Sequence, residues 1–156
     1  MAKMTFIGQN DLETIRRYVL AGQATFTLVS SKIDKRYTYK IVAQHKHPGR
    51  YKCYVMWGDD NTKDYRYCGV FRSENMQLHT KYGNLPRYTH FKMLRQFLSF
   101  LTTEEIQKRG NRLPDTCDFY RSKYCARCGR LLTTPESIKT GYGRVCYKYV
   151  EEAYNI

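Results

Sequence analysis

The sequence predicts an α+β protein in which helices lie on one face of an antiparallel β-sheet of about four to five strands, followed by a small cysteine-bearing module. Three observations lead there. Four β-branched and aromatic runs of period two fall between residues 24 and 71, segments of helical period flank them, and a turn-rich tail holds three cysteines between 125 and 146. Short connections favour hairpins, and consecutive hairpins make an antiparallel meander.

Taken in order, "NDLETIRRYVLAG" reads as an amphipathic helix with Asn10 or Asp11 as cap. Leu12, Ile15, Val19 and Leu20 line one side, and Gly22 closes it. "ATFTLVS" (24–30), "RYTYKIVA" (36–43), "RYKCYVMWG" (50–58) and "YRYCGVF" (65–71) are the strands, with a further short one expected around Met76 to His79. "SKIDK", "HKHPG" and "GDDNTKD" supply the turns. Alternation puts Tyr37, Tyr39 and Ile41 on one face with Arg36, Thr38 and Lys40 opposite, and Cys53, Val55 and Trp57 opposite Lys52, Tyr54 and Met56. In "PRYTHFKMLRQFLSFLT", Phe91, Leu94, Leu98 and Leu101 form a helical stripe, widened by Phe97, that suits the sheet's apolar face, while His90 reads as a cap-region or surface residue. A short capped helix ends at Gly110. The expected domains are therefore a basic α+β domain at 1–110 and a module at 111–156.

The net charge of +13 over 156 residues is uneven. Residues 1–110 hold 19 Lys/Arg against 9 Asp/Glu, and residues 111–156 hold 8 against 5. A field of this size draws polyanions, above all nucleic acid, and acidic protein surfaces less strongly. The N-terminal stretch lacks a secretory h-region and no apolar run approaches the roughly 20 residues of a membrane span. A cytoplasmic location with no membrane partner is expected, and in that reducing setting clustered cysteines serve metals more often than disulfides.

Cys125 and Cys128 form a CxxC followed at once by Gly129, the arrangement of a zinc knuckle. Seventeen residues separate Cys128 from Cys146, a span that fits a zinc-ribbon or treble-clef-like module. Between them Thr134, Pro135 and Gly141 read as N-cap, first residue and exit of a single helical turn, and Cys146 opens a last helix. A closed tetrahedral Zn²⁺ site needs a fourth ligand. The position three residues after Cys146 is Tyr149, so Cys117 is chosen, with Asp118, His79 and His90 behind it. Cys53 and Cys68 read as small core hydrophobes. Structural zinc competes with a redox CxxC, which wants a helix starting at the first cysteine, and with catalytic zinc, which wants a placed carboxylate where the loop offers only Glu136.

The stretch "CARCGRLLTTPESIKTGYGRVC" resembles the cysteine-rich module of a domain-of-unknown-function family common in phage-encoded proteins, and "ATFTLVSSKIDKRYTYKIVA" loosely resembles the hairpin that often precedes it. The resemblance implies zinc on Cys125, Cys128 and Cys146 and a phage or prophage origin. It brings no established activity. Arg144 departs from the family pattern, which has proline there.

Along the strands Lys and Arg alternate with Tyr, and eight of the fifteen tyrosines fall between 37 and 88. Cations for phosphates and rings for unstacked bases are the parts of a nucleic-acid surface. The contact candidates are Arg36, Tyr37, Tyr39, Lys40, Arg50, Lys52 and Arg66, joined by Arg127, Arg130 and Arg144 of the module. The expected function is nucleic-acid binding, DNA or RNA with single strands among the candidates, with structural zinc and no catalysis. One alternative is a phage inhibitor that binds an acidic surface of a host defence complex or polymerase. Another is a metal-dependent nuclease using Asp59, Asp60 and Asp64; His45 and His47 read as a solvated turn.

Overall fold

Strand pairing brings segments more than a hundred residues apart into one sheet. The computed structural model describes residues 6–57 and 64–154. Six antiparallel strands, β1 (Phe6–Gln9), β2 (Gln23–Ser30), β3 (Lys35–Ala43), β4 (Arg50–Met56), β5 (Tyr65–Arg72) and β6 (Cys117–Ser122), lie in the order β1-β6-β2-β3-β4-β5. The meander β2 to β5 matches the expected hairpins. β1 and β6 raise the strand number above the expected four to five, and Met76 to His79 contributes only an isolated bridge from His79 to Val70. β6 comes from the segment assigned by sequence to the module, yet it sits inside the sheet between β1 and β2. Residues 117–122 therefore pair within the sheet, while the Cys117 amide donates to the Pro114 carbonyl just ahead of the strand. The expected strand end at Gly58 lies outside the described residues.

Helices α1 (Leu12–Val19), α2 (Thr89–Ser99) and α3 (Thr103–Lys108) follow the apolar periodicity. Asp11 caps α1 by accepting from the Thr14 amide, and Thr102 caps α3 by accepting from Glu105. Leu12, Ile15 and Val19 of α1 and Phe91, Leu94, Phe97 and Leu98 of α2 are buried. The centre of the core is a ring cluster from three elements: Phe26 and Phe119 stack at 5.1 Å, and Phe97 of α2 lies 5.5 Å from Phe26 and 5.7 Å from Phe119. Each such buried ring contributes about 1.5–3 kcal/mol. Three tyrosines staple this layer, burying a ring and donating the hydroxyl to a backbone carbonyl: Tyr18 to Thr25, Tyr39 to His90 and Tyr51 to Leu20.

The other face of the sheet stays open over β3–β5, where its side chains are half-buried or exposed, and closes over the buried Thr25, Thr27 and Ser122. A β-bulge between β4 and β5 decides what the open face displays. Cys53 pairs with Gly69 but Tyr54 pairs with Tyr67, so Cys68 is an extra residue and turns into the core. Gly69 sits at φ +152°, and a Cβ there would meet the His79 carbonyl oxygen at 2.8 Å. Beyond the bulge the faces swap, which sends Tyr65 and Tyr67 to the open side beside Tyr54. Among the described residues no helix is long and apolar enough to cross a membrane.

Candidate metal centre and basic sheet face

Beyond β6 the chain makes a tight knuckle. Tyr124 and Leu131 form an antiparallel bridge, the Cys125 amide donates to the Arg130 carbonyl, and the Gly129 amide returns to Cys125. Gly129 takes φ +79°, so glycine is required by conformation, and the Gln23 side chain packs against it. One bond fixes the knuckle to the body of the protein, from the Gln23 amide to the Ala126 carbonyl, and another, from the Ala126 amide to the Gly141 carbonyl, ties it to the turn ahead of Cys146. The turn between the cysteines forms as read: α4 (Pro135–Thr140) is capped by Thr134 and left through Gly141 at φ +85°. α5 (Arg144–Tyr154) then brings Cys146 into its first turn.

The outcome is a cluster of three thiols. The Sγ atoms of Cys125, Cys128 and Cys146 all lie within 4.8 Å of one another, Cys125 and Cys146 buried and Cys128 exposed. Sulfurs around one tetrahedral zinc with Zn–S bonds near 2.3 Å stand about 3.8 Å apart, so small rotations close the set on an ion. The donor chemistry also fits. Burial opposes ionisation of Cys125, but backbone N–H groups of Gly143, Cys128 and Arg127 aimed at its sulfur prevail and hold its pKa below the ordinary thiol value. The Gly143 amide donates to that sulfur at 3.3 Å. Burial raises the pKa of Cys146, with the Arg127 guanidinium acting against it at 3.4 Å from its Sγ and the Cys125 sulfur adding to the rise. The cluster can hold a metal ion.

Cys117 does not join it. It stands at the far end of β6, paired with Ser30, with five strand residues between it and the start of the knuckle, a run of about 17 Å. Burial pushes its thiol up to about 12. Among the described residues Asp118, His79 and His90 do not join the cluster either. His90 is a buried residue of α2 rather than a surface one. Cys53 and Cys68 are fully buried in the core.

The contact candidates divide between two faces. Register and alternation place Arg36, Lys40, Arg50 and Lys52 on the open face, with Arg72 beside Arg50. Lys40 stands opposite Tyr54 and its Nζ lies 5.8 Å from the Tyr65 ring centre. Tyr39 lies on the Ile41 face as the alternation put it, and there it is fully buried under α2 and offers no contact surface. Tyr37 shares that covered side, half-buried with its ring 6.0 Å from His90. Arg66 pairs with Val55, also on the helix side, and reaches over Trp57. Arg127, Arg130 and Arg144 are exposed on the knuckle and at the start of α5, away from β3–β5 in the chain, and Arg127 packs 4.1 Å over the Tyr149 ring. His45 and His47 are exposed in the β3–β4 turn. Asp59 and Asp60 lie outside the described residues. The sequence reading missed the exposed Trp57, Tyr82 and Tyr88, whose one signal is a pair of tyrosines in the turn composition "KYGNLPRY".

Residues 109–151 match the model of a family of unknown function, DUF6011. The match takes in β6, the knuckle, α4 and most of α5, the part of the chain that builds the thiol cluster. None of the curated proteins and none of the solved structures compared with the chain matches it.

Proposed function

We propose that this protein binds nucleic acid through the open face of β3–β5 and uses a zinc ion on Cys125, Cys128 and Cys146 to hold its C-terminal module, as a binder rather than a catalyst. One observation carries the reading. β3, β4 and β5 together hold seven Lys/Arg and no Asp/Glu, and five of those cations share the open face with Tyr54, Tyr65 and Tyr67. A surface that needed charge only for solubility would mix signs. An unopposed cationic strip beside aromatic rings suits phosphates next to bases. Zinc is the metal favoured by three thiolates on a glycine-closed knuckle, and its part is structural: it would fix the knuckle against Gln23 and the start of α5 against the knuckle.

The test is fluorescence anisotropy with labelled single-stranded and duplex oligonucleotides across a salt series. Affinity should fall steeply as salt rises. In the triple variant Arg36→Ala/Lys40→Ala/Lys52→Ala the slope of log K against log salt should shrink by about 2–3, one phosphate contact per cation, with the circular dichroism spectrum retained. Absence of binding to either polymer at about 50 mM salt would refute the reading and turn attention to an acidic protein partner.

A further inference from the structure

At the free edge of the sheet, next to the basic face, three large rings are left uncovered. Trp57, the chain's single tryptophan, is 56% exposed, Tyr82 is 63% exposed and Tyr88 is 49% exposed. They line one groove of about 620 Å³ together with Arg66, Tyr67 and His90. Large exposed rings gathered around a concavity mark a binding site, because their solvation is a standing cost that a ligand removes. The rings are also braced. Tyr88 stacks on His90 at 5.5 Å and 15°, and Trp57 sets its ring at 82° to the same imidazole, 5.5 Å away. Tyr82 meets Tyr67 edge-on at 5.6 Å. These contacts hold one side of each ring before binding, and such preorganisation favours affinity.

Charge and continuity say what fits. Among the described residues no Asp or Glu lines the groove, and the Arg66 guanidinium stands 5.9 Å from the Trp57 ring centre. Tyr67 bridges the two surfaces: it touches Tyr82 in the groove and Tyr54 on the open face, and Tyr54 pairs with Lys40. A path of rings therefore leads from the cationic strip over the edge strand β5 into the groove.

We propose that this groove receives unpaired bases of a single-stranded nucleic acid, stacked on Trp57, Tyr82 and Tyr88, while the cations of the open face hold the phosphates of the same strand. The site rests on the nucleic-acid reading above and adds to it the preference for single strands: bases inside a duplex are already stacked and cannot reach the rings. The site distinguishes strandedness more than sequence, since every base offers a π-face.

Trp57 makes the test direct, because all tryptophan emission comes from this groove. An unlabelled single-stranded oligonucleotide is titrated while Trp57 emission is followed, with the matching duplex as comparison and anisotropy of labelled strands in parallel. The single strand should change the emission and the duplex should not. Trp57→Ala should weaken single-strand binding about tenfold and leave duplex binding as it was, while Trp57→Phe should restore much of the loss. Single-strand binding in anisotropy with unmoved Trp57 emission and unaltered affinity of Trp57→Ala would overturn the groove and leave the basic face standing. Failure of both polymers to bind would refute the underlying reading, and the groove with it.

Discussion

His90 shows how a single residue can join fold and surface. It occupies the first turn of α2, where its carbonyl accepts from Tyr39 and its ring is held between Tyr88 and Trp57. Burial pushes its pKa below the ordinary histidine value, and a helix N-terminus is a poor place for a cation. The folded protein therefore binds this proton more weakly than the unfolded chain does. The stability it contributes is complete above the unfolded value near 6.5 and is lost as pH falls through the lower folded value. Urea midpoints measured from pH 7.5 down to 5 should fall for the parent protein, and His90→Phe, which keeps a ring between its neighbours, should flatten that fall. Parallel curves for the two would show that His90 does not carry the proton. The place in the cap region was legible at position 90, but the burial was not, because its neighbours Trp57 and Tyr39 arrive from thirty and more residues earlier.

At the level of elements, legibility followed locality. The hairpins β2–β3 and β3–β4, the stripe of α2 and the turn of α4 are written in residues that are close along the chain, and all formed where the pattern put them. The bulge in β5 is not: "YRYCGVF" has an unbroken period, and only the steric demand at Gly69, against the carbonyl of His79, reveals the slip that turns Tyr65 and Tyr67 outward. β6 escaped for a related reason. Its buried face reads Cys117, Phe119, Arg121, and the arginine breaks the apolar alternation because its guanidinium donates to the Ile138 and Lys139 carbonyls of α4. The three-thiol cluster was readable, since the knuckle and the loop to Cys146 are local; Cys117 stands apart from it because strand geometry carries it the other way. Arg144, where the resembling family has proline, is the first residue of α5. That position makes no call on its own N–H within the helix and suits a fixed φ. Arg144→Pro should raise stability by about 0.4–1 kcal/mol, read as an increased melting temperature, with Arg144→Ala as the control for loss of charge. A lowered melting temperature would mean that the entry to α5 needs conformations proline forbids.

For the molecule as a whole, the question is whether the cysteine module is an appendage or a part of the core. Composition drew a border at residue 110, yet β6 crosses it, and Cys125, Cys146 and Val150 belong to the same buried cluster as the strands. The joint is Arg121, 3% exposed, a cation within the sheet whose partners are the last carbonyls of α4. The carbonyl end of a helix is a favourable place for that charge, but only while α4 is held, and α4 lies between the cysteines that close the thiol cluster. With zinc held there as proposed, losing the ion would free α4, remove the partners of Arg121 and leave a buried charge uncompensated, a strongly destabilising condition. Chelation of the metal should therefore lower the melting temperature of the sheet itself, by roughly 2–4 °C for each kcal/mol lost in a chain of this size, with strand and helix signals moving together in one transition. Cys128→Ser should reproduce the effect without chelator. Two separate transitions, with the sheet's midpoint unchanged after chelation, would show that the module melts alone and that Arg121 finds other partners.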